Sequence, residues 1–170
     1  IEILLSDIMK YIIDKKQLEK DKVRVSILIN DLTDIEFENI KILSKEYKTI
    51  NIVTNHIEKF KKLEKYLEEN EGIIITITNN KKRSLYKTQI IINIDFPDEL
   101  INKYCIKEDA IIVNVKCKTK INNKRFNGLN INDYEIDFRE DRKNDKALEN
   151  KYYLKDKVII KKLFLNNGEL

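Results

Sequence analysis

The sequence predicts a single α/β domain built on a doubly wound, mostly parallel sheet. Three observations carry that expectation. The 170 residues fit one domain at roughly 100–200 residues each. Five short runs rich in Ile, Val and Thr alternate with segments of helical apolar spacing, the pattern of α/β folds. Four of the connections between those runs are too long for hairpins, which makes parallel pairing through right-handed crossovers the default.

The elements follow in chain order. Ile1, Leu4, Leu5, Ile8, Ile12 and Ile13 recur at helical spacing and predict an amphipathic helix over residues 1–14. A charged connection, Lys15 to Lys22, leads to a first strand, Val23 to Ile29, whose fully apolar end suits burial on both faces. Thr33 and Glu36 form a capping box for a helix reaching about Tyr47. Thr49 to Thr54 is the second strand. Asn55 is positioned to cap a helix carrying Ile57, Phe60, Leu63 and Leu67 on one face, with Gly72 as its left-handed terminator. Ile73 to Thr78 reads as the third strand, Asn79 to Lys87 as a polar loop or short helix, and Gln89 to Ile94 as the fourth strand. Pro97 suits the first turn of a short helix through Tyr104, because that position has no amide bond to lose. Ala110 to Val115 is the fifth strand. The last third predicts part of a hairpin over Lys118 to Phe126, a short strand Tyr134 to Phe138, a helix Asp141 to Tyr153 and a closing strand Val158 to Leu165. The organisation is then an N-terminal helix and connection over 1–22, the α/β domain over 23–165, and a tail over 166–170.

Composition narrows the function classes. Hydrophobic residues make up 42% of the chain, enough for a real core, and charged residues 36%. The wealth of Ile, Lys and Asn reads as coding bias in an AT-rich genome. A net charge of +4 is small beside 33 basic and 29 acidic groups, and Lys and Glu alternate through Lys59 to Glu69 as on a solvated helix face. Nucleic acid is therefore not expected as a partner. Lys81, Lys82 and Arg83 form a short basic cluster, read as a surface loop before a phosphate contact. Cys105 and Cys117 belong to no CxxC and have no nearby His, which speaks against zinc; one reads as a buried thiol and one as a strand-end thiol. No apolar run approaches the ~18–20 residues of a membrane span, and no signal peptide is visible. A cytoplasmic location follows as the expectation. The chain opens on Ile1, not Met, so the true N-terminus is expected to lie upstream, with room there for a partner domain.

In an open α/β sheet, ligands sit beyond the carboxyl ends of the strands, where strand order reverses. The polar residues at those ends are Asn30 and Asp31, Thr54 and Asn55, Thr78 and Asn79, and Asp95, and they are the candidate binding residues. The first turn, Asn30-Asp31-Leu32-Thr33-Asp34, has no glycine to let a pyrophosphate approach the backbone. Asp31 and Asp34 add like charge, which at 4 Å and an effective dielectric of ~20 costs on the order of 4 kcal/mol. His56, the one histidine, reads as a surface residue, and Ser26 as a core-facing strand residue outside any nucleophile elbow. No catalytic residue and no metal ligand is assigned.

One stretch carries more than composition. Thr88-Gln-Ile-Ile-Ile-Asn-Ile-Asp-Phe-Pro-Asp-Glu-Leu-Ile101, followed by Ile106-Lys-Glu-Asp-Ala-Ile-Ile-Val-Asn-Val115, resembles the fourth and fifth strands of Rossmann-like NAD(P)-binding domains. The similar families are methylenetetrahydrofolate dehydrogenases, shikimate dehydrogenases, glutamyl-tRNA reductases and alanine dehydrogenases. In them a strand beside the cofactor crevice is followed by a proline, a short helix and a lysine–acid–glycine–alanine turn. Asp109 replaces that glycine here. Lys124 to Phe138 also resembles the hairpin and aspartate-bearing stretch of the folate enzymes. The resemblance implies a Rossmann-like three-layer sandwich and NAD or NADP as the class of cofactor. It covers the middle two-thirds of the chain as topology and this stretch as motif. The phosphate glycines of those families are missing, and no catalytic residue carries over.

Three readings follow. The first is a degenerate dinucleotide-binding domain of a larger oxidoreductase-like protein, holding a nucleotide or small molecule. The second is a non-catalytic interaction module that kept the fold and lost the ligand, with self-association through the N-terminal helix as one outlet. The third, a receiver-like phosphate-binding domain, has Asp31 after the first strand but no acceptor aspartate at Thr78-Asn79-Asn80.

Overall fold

The computed structural model describes residues 4–138, 158–166 and 168–170. Eight strands form one sheet: β1 (Arg24–Leu28), β2 (Thr49–Val53), β3 (Thr76–Thr78), β4 (Ile90–Asn93), β5 (Ile111–Asn114), β6 (Leu129–Phe138), β7 (Val158–Leu165) and β8 (Gly168–Glu169). Their order is β3-β2-β1-β4-β5-β6-β7-β8. Pairing is parallel through β6 and antiparallel from β6 to β8. The first six strands thus follow the 3-2-1-4-5-6 order in which the sheet reverses direction between β1 and β4. The helices are α1 (Leu5–Lys15), α2 (Asp34–Glu46), α3 (Lys61–Tyr66), α4 (Lys81–Tyr86) and α5 (Asp98–Ile101). A 3-10 turn, Ile57–Phe60, enters α3, and a π turn, Leu67–Glu71, leaves it.

Strand periodicity divides the core in two. Val25, Ile27, Ile52, Ile90, Ile92 and Val113 join Ile8 and Ile12 of α1, Ile40 and Leu43 of α2, and Leu63 of α3. Leu28, Val53, Ile91 and Ile112, from alternate positions of the same strands, join Leu85 of α4 and Ile101 of α5. Each fully buried aliphatic side chain contributes on the order of 1.5–3 kcal/mol. Ile8, Met9 and Ile12 have no exposed surface, so the apolar face of α1 is spent on this chain's own core.

Local signals explain the helix ends. Thr33 caps α2, its hydroxyl accepting from the Glu36 amide at 3.3 Å. Gly72 sits at φ 65°, the left-handed exit expected of it. Tyr47 closes α2 and is buried, with its phenol pushed up to about 12 by burial first, then by the Glu46 and Asp14 carboxylates. Its ordinary value is 10.0, so unfolding releases a proton between these two values. Stability that is whole below pH 10 therefore falls as pH rises through that interval. A series of melting temperatures from neutral to strongly alkaline pH should fall less steeply for Tyr47→Phe than for the parent chain.

Several expected elements differ. The third strand shrinks to Thr76–Thr78, because the chain leaving Gly72 runs outside the ladder and leaves Ile74 83% exposed. The short helix after β4 ends at Ile101, and Pro97 caps it from an extended conformation instead of entering its first turn. Residues 118–126 form no strand. The sixth strand instead starts at Leu129, five residues early, because it pairs with β5 from Ile111↔Leu129 onward. The tail is not free: Gly168–Glu169 adds to β7. The helix expected over 141–153 lies outside the described residues.

Candidate functional site

The carboxyl ends of β1, β2 and β4 meet at one point. There the Asp95 carboxylate accepts the Asn30 amide at 2.8 and 3.1 Å and the Asp31 amide at 2.8 Å. These are the amides of the first turn, where a dinucleotide fold presents backbone donors to a phosphate. In this chain a carboxylate from the neighbouring strand end accepts from them. Charge-assisted bonds of this kind are roughly twice as strong as neutral ones.

The Asn30 side chain locks the other side of the crevice. Its Oδ1 accepts from the Asn55 amide at 2.8 Å and from the Thr54 hydroxyl at 3.3 Å. The buried Thr54 hydroxyl in turn accepts from the His56 amide at 3.0 Å. Asn55 therefore does not cap the following helix with its side chain, as its position had suggested; it is exposed and contributes its backbone N–H. Five of the candidate residues, Asn30, Asp31, Thr54, Asn55 and Asp95, thus form one hydrogen-bonded cluster. Thr78 stands beside it, its carbonyl accepting from the Thr54 amide at 3.0 Å and its hydroxyl from the Asn80 amide at 3.0 Å. Asn79 is exposed and meets only the following turn, accepting from the Lys81 amide and ammonium. His56 is exposed, as expected, and Ser26 is buried against Thr88 at 2.7 Å.

A second polar cluster escaped the sequence reading. Asn114, at the end of β5, lies beside Asn93 at the end of β4 and Asn130 in β6. Its Oδ1 accepts from Asn93 at 3.0 Å and from the Thr119 hydroxyl at 2.8 Å. Its amide donates to Asn130 at 2.7 Å, to Asn132 at 3.0 Å and to the Ile131 carbonyl at 3.2 Å. All of Asn93, Asn114, Asn130 and Thr119 are buried. The signal was present: both apolar strands Ile90–Asn93 and Ile111–Asn114 end on an inward asparagine. Each amide in the cluster has a partner within the chain, so the cluster fastens the loop after β5 to the sheet.

Nucleophilic chemistry finds little support. Both cysteines are free and exposed, which corrects the expectation of one buried thiol. The Cys117 thiol is held above its ordinary range by desolvation and then by the charges of Asp98 and Asp95, the opposite of an activated thiolate. Among the described residues no group of three or more His, Cys, Asp or Glu could hold a metal ion. Also among them, no helix is long and apolar enough to cross a membrane. Comparison with protein-family models, curated proteins and solved structures finds no match for this chain.

Proposed function

We propose that this chain is a Rossmann-like three-layer domain, akin in architecture to the cofactor domains of NAD(P)-dependent oxidoreductases, that has given up the dinucleotide. It serves as a non-catalytic interaction module of a larger cytoplasmic protein. The observation that carries this reading is the Asp95 carboxylate seated on the amides of Asn30 and Asp31. A pyrophosphate entering the crevice would have to displace that internal anion, then remain beside Asp95, Asp31 and Asp34. Each such like-charge approach costs on the order of 4 kcal/mol at 4 Å and an effective dielectric of ~20. That is about three powers of ten in affinity.

Titration with NADH and NADPH, followed through backbone amide shifts, tests the reading. The amides of Asn30, Asp31 and Asn55 should stay unmoved up to cofactor concentrations of about 5 mM, where anything tighter than ~1 mM would register. Saturable shifts at those three amides would overturn it. Asp95→Ala frees the two first-turn donors. It should cost about 1–3 kcal/mol of stability, read from the denaturant midpoint, because hydrogen bonds to a charged acceptor are lost.

A further inference from the structure

A cleft of about 920 Å³ opens beside α4; none of Asn30, Asp31, Thr54, Asn55 or Asp95 lines it, although Thr78 borders both places. Its floor is polar. Asn51 of β2 and Thr76 and Thr78 of β3 present one face of the sheet there, Asn51 and Thr76 being register partners. This part of the sheet is uncovered because α4 is only six residues long. The rim is cationic: Arg24 comes from the start of β1, Lys82 and Arg83 from α4, and Lys87 from the turn after it. No Asp or Glu lines the cleft. None of these four cations has an ion-pair partner among the described residues. Lysines elsewhere do: Lys45 meets Glu71 at 3.0 Å, and Lys162 meets Glu135 at 3.3 Å. The cleft thus concentrates as much unneutralised positive charge as the whole chain's net +4.

Gathering four like charges without a counter-ion is unfavourable for the empty protein, and an anion entering the cleft relieves it. Hydroxyl and amide groups on the floor suit phosphate oxygens, and the Tyr86 ring, 64% exposed, stands on the same wall. The volume lies within the range of small-molecule sites, about 300–1,000 Å³. The adjoining groove is mixed in charge, which makes it a poor continuation for a polymer track: Glu108 and Asp109 stand there with Lys107 and Arg125, and Lys107 is already paired to Asp109 at 3.4 Å. We infer that this cleft is a binding site for a small ligand carrying two or more linked phosphates, either a nucleotide or an inorganic polyphosphate.

The test is calorimetric titration of the whole chain at low salt with sodium tripolyphosphate, with ATP, and with a ten-nucleotide single strand of DNA. Saturable binding of tripolyphosphate or ATP that weakens with added salt is expected, and ATP binding alone would identify the nucleotide as the source. Arg83→Ala combined with Lys87→Ala should weaken it by about tenfold or more, and Arg24→Gln should weaken it independently. All three side chains are exposed, so thermal melts should confirm an intact fold. Lys59→Ala with Lys65→Ala removes equal charge elsewhere and should leave binding unchanged. Shifts should map to the amides of Thr76, Thr78 and Arg83 and not to Asn30 or Asp31, which separates this site from the dinucleotide crevice. The inference is overturned by no saturable binding of either small polyphosphate, by binding of the DNA strand alone, or by equal losses in the two double variants.

Discussion

Asn114→Leu should be among the most damaging single changes in this chain, costing about 3–5 kcal/mol. Asn114 joins three strand ends and a loop through five hydrogen bonds. A leucine fills similar space but returns none of them. The Thr119 hydroxyl would keep only its 3.5 Å contact to Asn130, and Asn130 Oδ1 would lose its 2.7 Å donor. Both groups are buried, and each stranded polar group costs about 1–3 kcal/mol. Set against a typical domain stability of about 5–15 kcal/mol, the loss should appear as a large drop in the denaturant midpoint. A loss under about 1 kcal/mol would show that water replaces the amide, and the cluster would not be the fastening described above.

Gly128→Ala should be comparably severe, for a steric reason. A Cβ at this position would run into the Ala110 carbonyl and lie 2.9 Å from its nitrogen. The obstacle is backbone, so no side chain can swing aside. It is also the backbone that begins the β5–β6 ladder, where the Leu129 amide donates to Ala110 O at 3.1 Å. Overpacking of this kind costs about 3 kcal/mol, and relief comes only by parting the two strands. Hydrogen exchange discriminates the mechanism: the Leu129 and Ile131 amides should lose protection well before those of β1 and β2. Uniform loss across the sheet would contradict it.

How much of this was legible in the sequence varies with how local each cause is. The strands β1, β2, β4 and β5 fall within one or two residues of their expected bounds, because burial on both faces demands near-continuous Ile and Val. The cap at Thr33 and the exit at Gly72 were readable for the same reason: each is set within four residues of chain. The sixth strand was not, since Leu129 is in a strand only because Ile111 lies beside it. In the sequence Asp95 reads as a ligand contact, as a polar residue at a strand end invites. Its role as an internal acceptor depends on a turn 65 residues earlier. Lys82 and Arg83 read as part of a surface loop in the sequence because the other cations of their cleft, Arg24 and Lys87, arrive from a distant strand and the turn after the helix.

The placement of β1 between β2 and β4 bears on how the chain is made. Synthesis delivers β1, α2, β2 and β3 first, and they can assemble as they emerge. Yet one flank of β1 has no partner until Ile90–Asn93 leaves the ribosome. During that interval Val25, Ile27 and Leu28 stand along a bare ladder edge, the kind of surface that recruits other chains. The arrival of β4 both buries that edge and brings Asp95 to the Asn30 turn, so sheet closure and sealing of the crevice are one event in the birth of the domain.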